Sequence, residues 1–106
     1  MALDAYKSYE GVLGTATANI VVATTGHTLV IQKVMLVNTD PTPQTVYLYR
    51  YSSATSRALL PGFIVNTLDV LEVSGPIIIE AGGKVTGYAG TASVVNVFVD
   101  YLDQEL

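Results

Sequence analysis

Gln44-Thr45-Val46-Tyr47-Leu48-Tyr49-Arg50-Tyr51 alternates without a break. In an extended chain Val46 and Leu48 leave on one side and Tyr47, Tyr49 and Tyr51 on the other, because successive side chains of a strand point to opposite faces. Asp40-Pro41-Thr42-Pro43 closes the stretch on its N-terminal side, since two prolines cannot donate ladder hydrogen bonds. On its C-terminal side stands the polar linker Ser52-Ser53-Ala54-Thr55-Ser56. This is a half-buried strand between two loops, and it sets the reading of the rest.

The same pattern recurs on either side. Residues 19–24 and 28–39 read as strands separated by Thr25-Gly26-His27. In the second of them Gln32, Lys33 and Asn38 interrupt both faces, so it is expected to curve or change environment midway. Residues 57–66 contain Pro61-Gly62, which favours a type II bend or an edge break. Residues 68–74 alternate again, Gly75-Pro76 punctuates them, and Ile77-Ile78-Ile79 reads as a short apolar strand. Ala81-Gly82-Gly83 is a tight turn, here taken as a hairpin turn. Residues 84–89 and 94–102 complete the set, followed by an acidic tail with Asp103 and Glu105. Strands at a spacing of about 8–12 residues are the signature of a sandwich or jelly roll. No segment carries a capped apolar stripe of helical period. The expectation is an all-β chain: a single antiparallel β-sandwich, jelly-roll-like domain of about eight strands over residues 14–106, with residues 1–13 as an N-terminal arm.

Composition agrees. Of 106 residues, 15 are Val, 12 Thr, 6 Ile and 7 Tyr, types that favour strands. Half of the chain is hydrophobic and 13 % is charged, which excludes disorder. Nine acidic residues against five basic ones give a net charge of −4, and the cations Lys7, Lys33, Arg50, Arg57 and Lys84 are scattered along the sequence. Neither nucleic acid nor an anionic membrane is expected as a partner. With no cysteine there is no disulfide and no thiolate metal site. The N-terminus has no apolar signal-peptide region, and residues 11–32, uncharged but rich in Thr, make a poor bilayer span. So few charges leave much of the exterior neutral, which is expected where other subunits or a partner cover it.

Reaction chemistry finds little support. His27 is the single histidine and reads as a polar turn residue, since a metal site needs about three ligands. No G-x-S-x-G elbow accompanies the serines. Gly82-Gly83-Lys84 lacks the earlier glycine and following Ser or Thr of a phosphate loop. No catalytic, cofactor or metal residue is assigned, and an enzyme is not expected. The tyrosines carry more. Each has a hydroxyl that must find a partner, and the other face of the Tyr47–Tyr49–Tyr51 strand already makes a good core face. Tyr47, Tyr49 and Tyr51, with Tyr6 and Tyr9 of the arm, are the candidate interface residues. A sugar-stacking platform is the alternative use of the stripe.

Residues 29–50 and 59–102, about two thirds of the chain, resemble small β-sandwich virion proteins of tailed bacteriophages. The resemblance rests on an apolar strand ending in Asn38-Thr39, on Gly75-Pro76-Ile77-Ile78-Ile79-Glu80-Ala81-Gly82, and on the terminal strand Val94 to Val99. Gly83-Lys84 stands where an acidic residue often follows the turn glycine in that group. The resemblance implies a non-enzymatic structural protein, most like a capsid decoration (cement) protein. It would be a homotrimer bound to the major capsid protein or another virion protein, made in the host cytoplasm and located in the virion, with no cofactor. A tail, baseplate or fibre component and a carbohydrate-binding module are the competing readings.

Overall fold

The computed structural model describes residues 4–52 and 55–105. Among these residues there are eight strands and no helix: β1 (Asp4–Val12), β2 (Ala18–Val22), β3 (His27–Asn38), β4 (Gln44–Ser52), β5 (Thr55–Val65), β6 (Val70–Ile79), β7 (Lys84–Ala89) and β8 (Val95–Glu105). They form two four-stranded antiparallel sheets, sheet A in the order β1-β8-β3-β6 and sheet B in the order β2-β7-β4-β5. First and last strands lie side by side and each sheet draws from both halves of the chain, which is the jelly-roll arrangement of two Greek keys. The all-β sandwich expected from the alternation is the observed fold.

The eight strands are not all the ones the sequence suggests. Residues 68–74 and 77–79 belong to one strand, β6, which continues through a cis Gly75-Pro76 peptide. A proline is tolerated there because β6 is an edge strand and has a partner on one side only. Gly75 is required by a close approach: a Cβ at this position would fall on the Ile31 carbonyl oxygen. The eighth strand comes from the segment expected as an arm. It is extended, but from Asp4 to Val12 it lies along β8. Residues 1–3 of that segment lie outside the described residues, as do 53, 54 and 106. The turn at Ala81-Gly82-Gly83 joins β6 of sheet A to β7 of sheet B and so is a crossing between sheets rather than a hairpin.

The polar interruption in β3 proves to be a β-bulge. Ile31 and Val34 are both fully buried, although a regular strand would put them on opposite faces. The register against β8 slips between Ile31 and Lys33, so Gln32 is the extra residue that resets the phase. Pro61-Gly62 makes no bend. It sits within edge strand β5, whose register against β4 slips twice, and Gly62 takes a φ of 99°. The core lies between the sheets. Val34 and Leu36 of β3 and Val95, Val97 and Val99 of β8 meet Val46 and Leu48 of β4 and Val85 and Ala89 of β7, all essentially without exposure. Gly87 makes room in this layer: a Cβ there would stand 2.8 Å from Leu48 Cδ2 and 3.1 Å from Ile20 Cδ1.

One polar side chain organises the β3–β4 loop. Asn38 is 1 % exposed. Its Nδ2 donates to the carbonyls of Thr42 (2.9 Å), Val65 (3.1 Å) and Asn66 (3.2 Å), and its Oδ1 accepts from the Asp40 N–H at 2.9 Å. The loop is thereby tied to the end of β5. Asp40 in turn accepts hydrogen bonds from Thr42 and Gln44, which hold its carboxyl below the usual carboxylate range.

Candidate functional site

The outer faces of the two sheets carry the residues of interest. On sheet B, Tyr47, Tyr49 and Tyr51 lie opposite the buried Val46 and Leu48, half-buried and outside the core. In-register pairing sets Tyr88 of β7 beside Tyr47. Their rings stack at 4.3 Å between centroids with an interplanar angle of 13°, and Tyr49 follows at 6.3 Å from Tyr88. Lys84 Nζ sits 5.1 Å from the Tyr51 ring centroid, a cation–π contact. Gly62 leaves space for the Tyr47 ring, whose Cε2 would be 3.0 Å from any Cβ there. The stripe is thus four tyrosines on two strands. Tyr88 escaped the sequence reading, although Lys84, Thr86 and Tyr88 alternate against Val85, Gly87 and Ala89 and so advertise the same outer face.

Tyr6 and Tyr9 do not join this stripe. Three residues apart on β1, they leave on opposite faces. Tyr9 turns inward against the core, its ring lying over Gly11. Tyr6 points out from sheet A and is 83 % exposed. It begins a feature that the sequence reading missed. The strand registers align outward-facing residues into rows across all four strands. Tyr6, Leu102, Val30 and Ile78 form an entirely apolar row. Ser8, Asp100, Lys33 and Ser74 form a polar one beside it, with Lys33 Nζ 4.0 Å from Asp100 Oδ2. Glu10, Phe98, Met35 and Glu72 make the next, then Val12, Asn96, Val37 and Val70. Val12, Val70 and Ile78 are each about half exposed. Exposed apolar side chains thus stand on the outer face of sheet A, and Val22, Phe63 and Ile64 add others on strands of sheet B. Such faces mark contacts with other proteins.

Three polar side chains meet at one end of sheet A. Asp103 is no solvated tail residue: it lies in β8 and accepts from Lys7 Nζ of β1 at 2.9 Å and from His27 Nδ1 of β3 at 2.8 Å. Its side chain is only 14 % exposed. The contacts of Lys7 and His27 with Asp103 clamp three strands, β1, β8 and β3, together. Lys7 first, then His27, holds the Asp103 carboxyl below its ordinary value of 3.8. A depressed folded-state value adds stability above the unfolded value and loses it as pH falls through the folded one. Thermal unfolding is therefore expected to move to lower temperature on acidification below about pH 4. In Asp103→Asn this acid dependence should be shallower. A variant with the wild-type slope would show that the clamp carries no pH-dependent stability.

No protein-family model matches the chain, and no curated protein does. Solved structures do share its fold. One is a chain of similar length in the acid-stable capsid of the Helicobacter pylori bacteriophage KHP30: 15 % identity, TM-score 0.54, covering 97 % of this chain and 92 % of that one. Another is a subunit of Bacillus endospore appendages, a family of disulfide-linked pili: 15 % identity, TM-score 0.54, covering 98 % and 87 %. A third belongs to the T13 particle of infectious bursal disease virus: 8 % identity and TM-score 0.57, where this chain spans about a third (35 %) of the viral chain. At these identities the likeness is one of fold.

Proposed function

We propose that the chain is a non-enzymatic structural protein of a bacteriophage virion, and specifically a capsid decoration protein that binds the outer shell as an oligomer and strengthens contacts between capsomers. The observation that carries this reading is the outer face of sheet A, where the row Tyr6, Leu102, Val30 and Ile78 is apolar across all four strands and Tyr6, Val12, Val70 and Ile78 stand exposed. A small monomer in free solution gains nothing from such a face. The fold supports the same reading, since a chain of similar length and like fold occurs in a phage capsid. A shell under internal pressure opens where capsomers part. A compact oligomer bridging several subunits adds contacts that must break together, so modest interfaces combine into strong attachment. A rigid sandwich also loses little conformational freedom on binding.

The carbohydrate reading requires free ring faces. Here Tyr47 and Tyr88 cover each other and Lys84 covers Tyr51, an arrangement that suits side-on packing against a protein better than stacking on a sugar. A tail or baseplate part would use the same fold. Copy number per particle separates the two: hundreds are expected for a shell protein, and a count of a few to tens would move the chain to the tail. Removing the first nine residues would strip β1 from β8, so point substitutions make the better test of attachment. Tyr6→Ser with Ile78→Ser, both exposed on the outer face of sheet A, should leave the fold intact and lower occupancy on isolated particles about tenfold or more, equivalent to about 1.4 kcal/mol for each factor of ten. Undiminished occupancy would remove that face from the attachment surface.

A further inference from the structure

Two of the five cations, apart in sequence, are neighbours in the fold. The β4–β5 hairpin places Arg50 directly opposite Arg57. Like charges so paired on neighbouring strands repel, and the chain has no surplus of cations to explain the juxtaposition. The ion pairs among the described residues use Lys7, His27 and Lys33, and neither arginine takes part. The Arg50 Nε is buried and lacks a hydrogen-bond partner, although the side chain as a whole is only half-buried, and a buried donor left unpaired is costly. Both arginines, with Ser52 and Thr55, line a cavity of about 300 Å³. Arg50 also borders a second recess with Glu80 and Ile77, yet Glu80 forms no ion pair with it.

We propose that Arg50 and Arg57, with the hydroxyls of Ser52 and Thr55, form a binding site for a small oxyanion of the phosphate or carboxylate class. Such a ligand neutralises two arginines set opposite each other and accepts from two hydroxyls. The planar guanidinium fork matches the paired oxygens of both anions. The oxyanion can come from solution or from an acidic side chain of a neighbouring protein chain.

The test is a titration of the free, full-length, 15N-labelled protein with inorganic phosphate, at ionic strength held constant with chloride, following the arginine Nε–Hε resonances by NMR. A saturable shift of the Arg50 signal is expected, and Arg57→Gln should weaken binding about tenfold or more, the loss of one charge-assisted contact. Arg57 is exposed, so this variant should keep the wild-type melting temperature. Absence of saturation into the tens of millimolar, or equal affinity in Arg57→Gln, would overturn the proposal. Glutarate in place of phosphate tests the carboxylate. If the natural ligand is an acidic side chain of a neighbouring chain, phosphate should also compete with association between chains or with particles. If it is a free ion, association should be indifferent. Because the titration uses the protein alone, it can fail while the virion reading stands, and the reverse.

Discussion

Leu48→Ala is expected to lower the free energy of unfolding by about 3–5 kcal/mol. Leu48 has no exposure, lies in a central strand of sheet B and fills the space that Gly87 leaves open. Truncation removes its apolar burial and leaves a cavity that two hydrogen-bonded strands on either side cannot close. The native state of a domain this size holds only about 5–15 kcal/mol in reserve, so the loss would consume a large part of it. Urea unfolding should show a lower midpoint with an unchanged slope. A loss under about 1 kcal/mol would mean that the sheets do not pack across Leu48 as described.

Asn38→Leu should cost about 2–4 kcal/mol for a different reason. Leucine is close in size and more apolar, so packing alone would favour it. The cost comes from the carbonyls of Thr42, Val65 and Asn66 and the N–H of Asp40, which lose the partner that satisfies all four. Asn38→Asp should be as damaging at neutral pH, because its carboxylate faces three carbonyl oxygens with no proton to offer. Equilibrium unfolding reads both, and hydrogen exchange of residues 39–43 should accelerate in step. A neutral or stabilising Asn38→Leu would show that the loop is held by something other than this side chain.

The fold was legible wherever one segment carried its own signal. Strand β4 declares itself by alternation, and the bulge in β3 by polar residues falling on both faces. Strand β1 was obscured because Lys7, Ser8, Glu10 and Gly11 dilute its pattern, and its pairing depends on residues 84 to 100 positions away. Gly75-Pro76 reads as a break because the sequence does not reveal that β6 is an edge, where a missing N–H goes unnoticed. Much of the candidate surface was recoverable with one more step. Taking Ser52 to Thr55 as a hairpin tip puts residue 50 opposite 57 by counting alone, as the register shows. The apolar rows of sheet A and the Lys7–Asp103–His27 clamp were not recoverable, since each needs the order of strands that meet only in the folded molecule.

That order also governs how the protein can be made. In sheet A, β8 lies between β1 and β3 and bonds to both. It is the last of the eight strands to leave the ribosome. Until it arrives, β1 has no neighbour in its sheet, and one long flank of β3 stays open. Sheet B, by contrast, is fully translated once β7 is out. The nascent chain therefore carries unpaired N–H and C=O groups along β1 and β3 until β8 emerges, and sheet A closes only then.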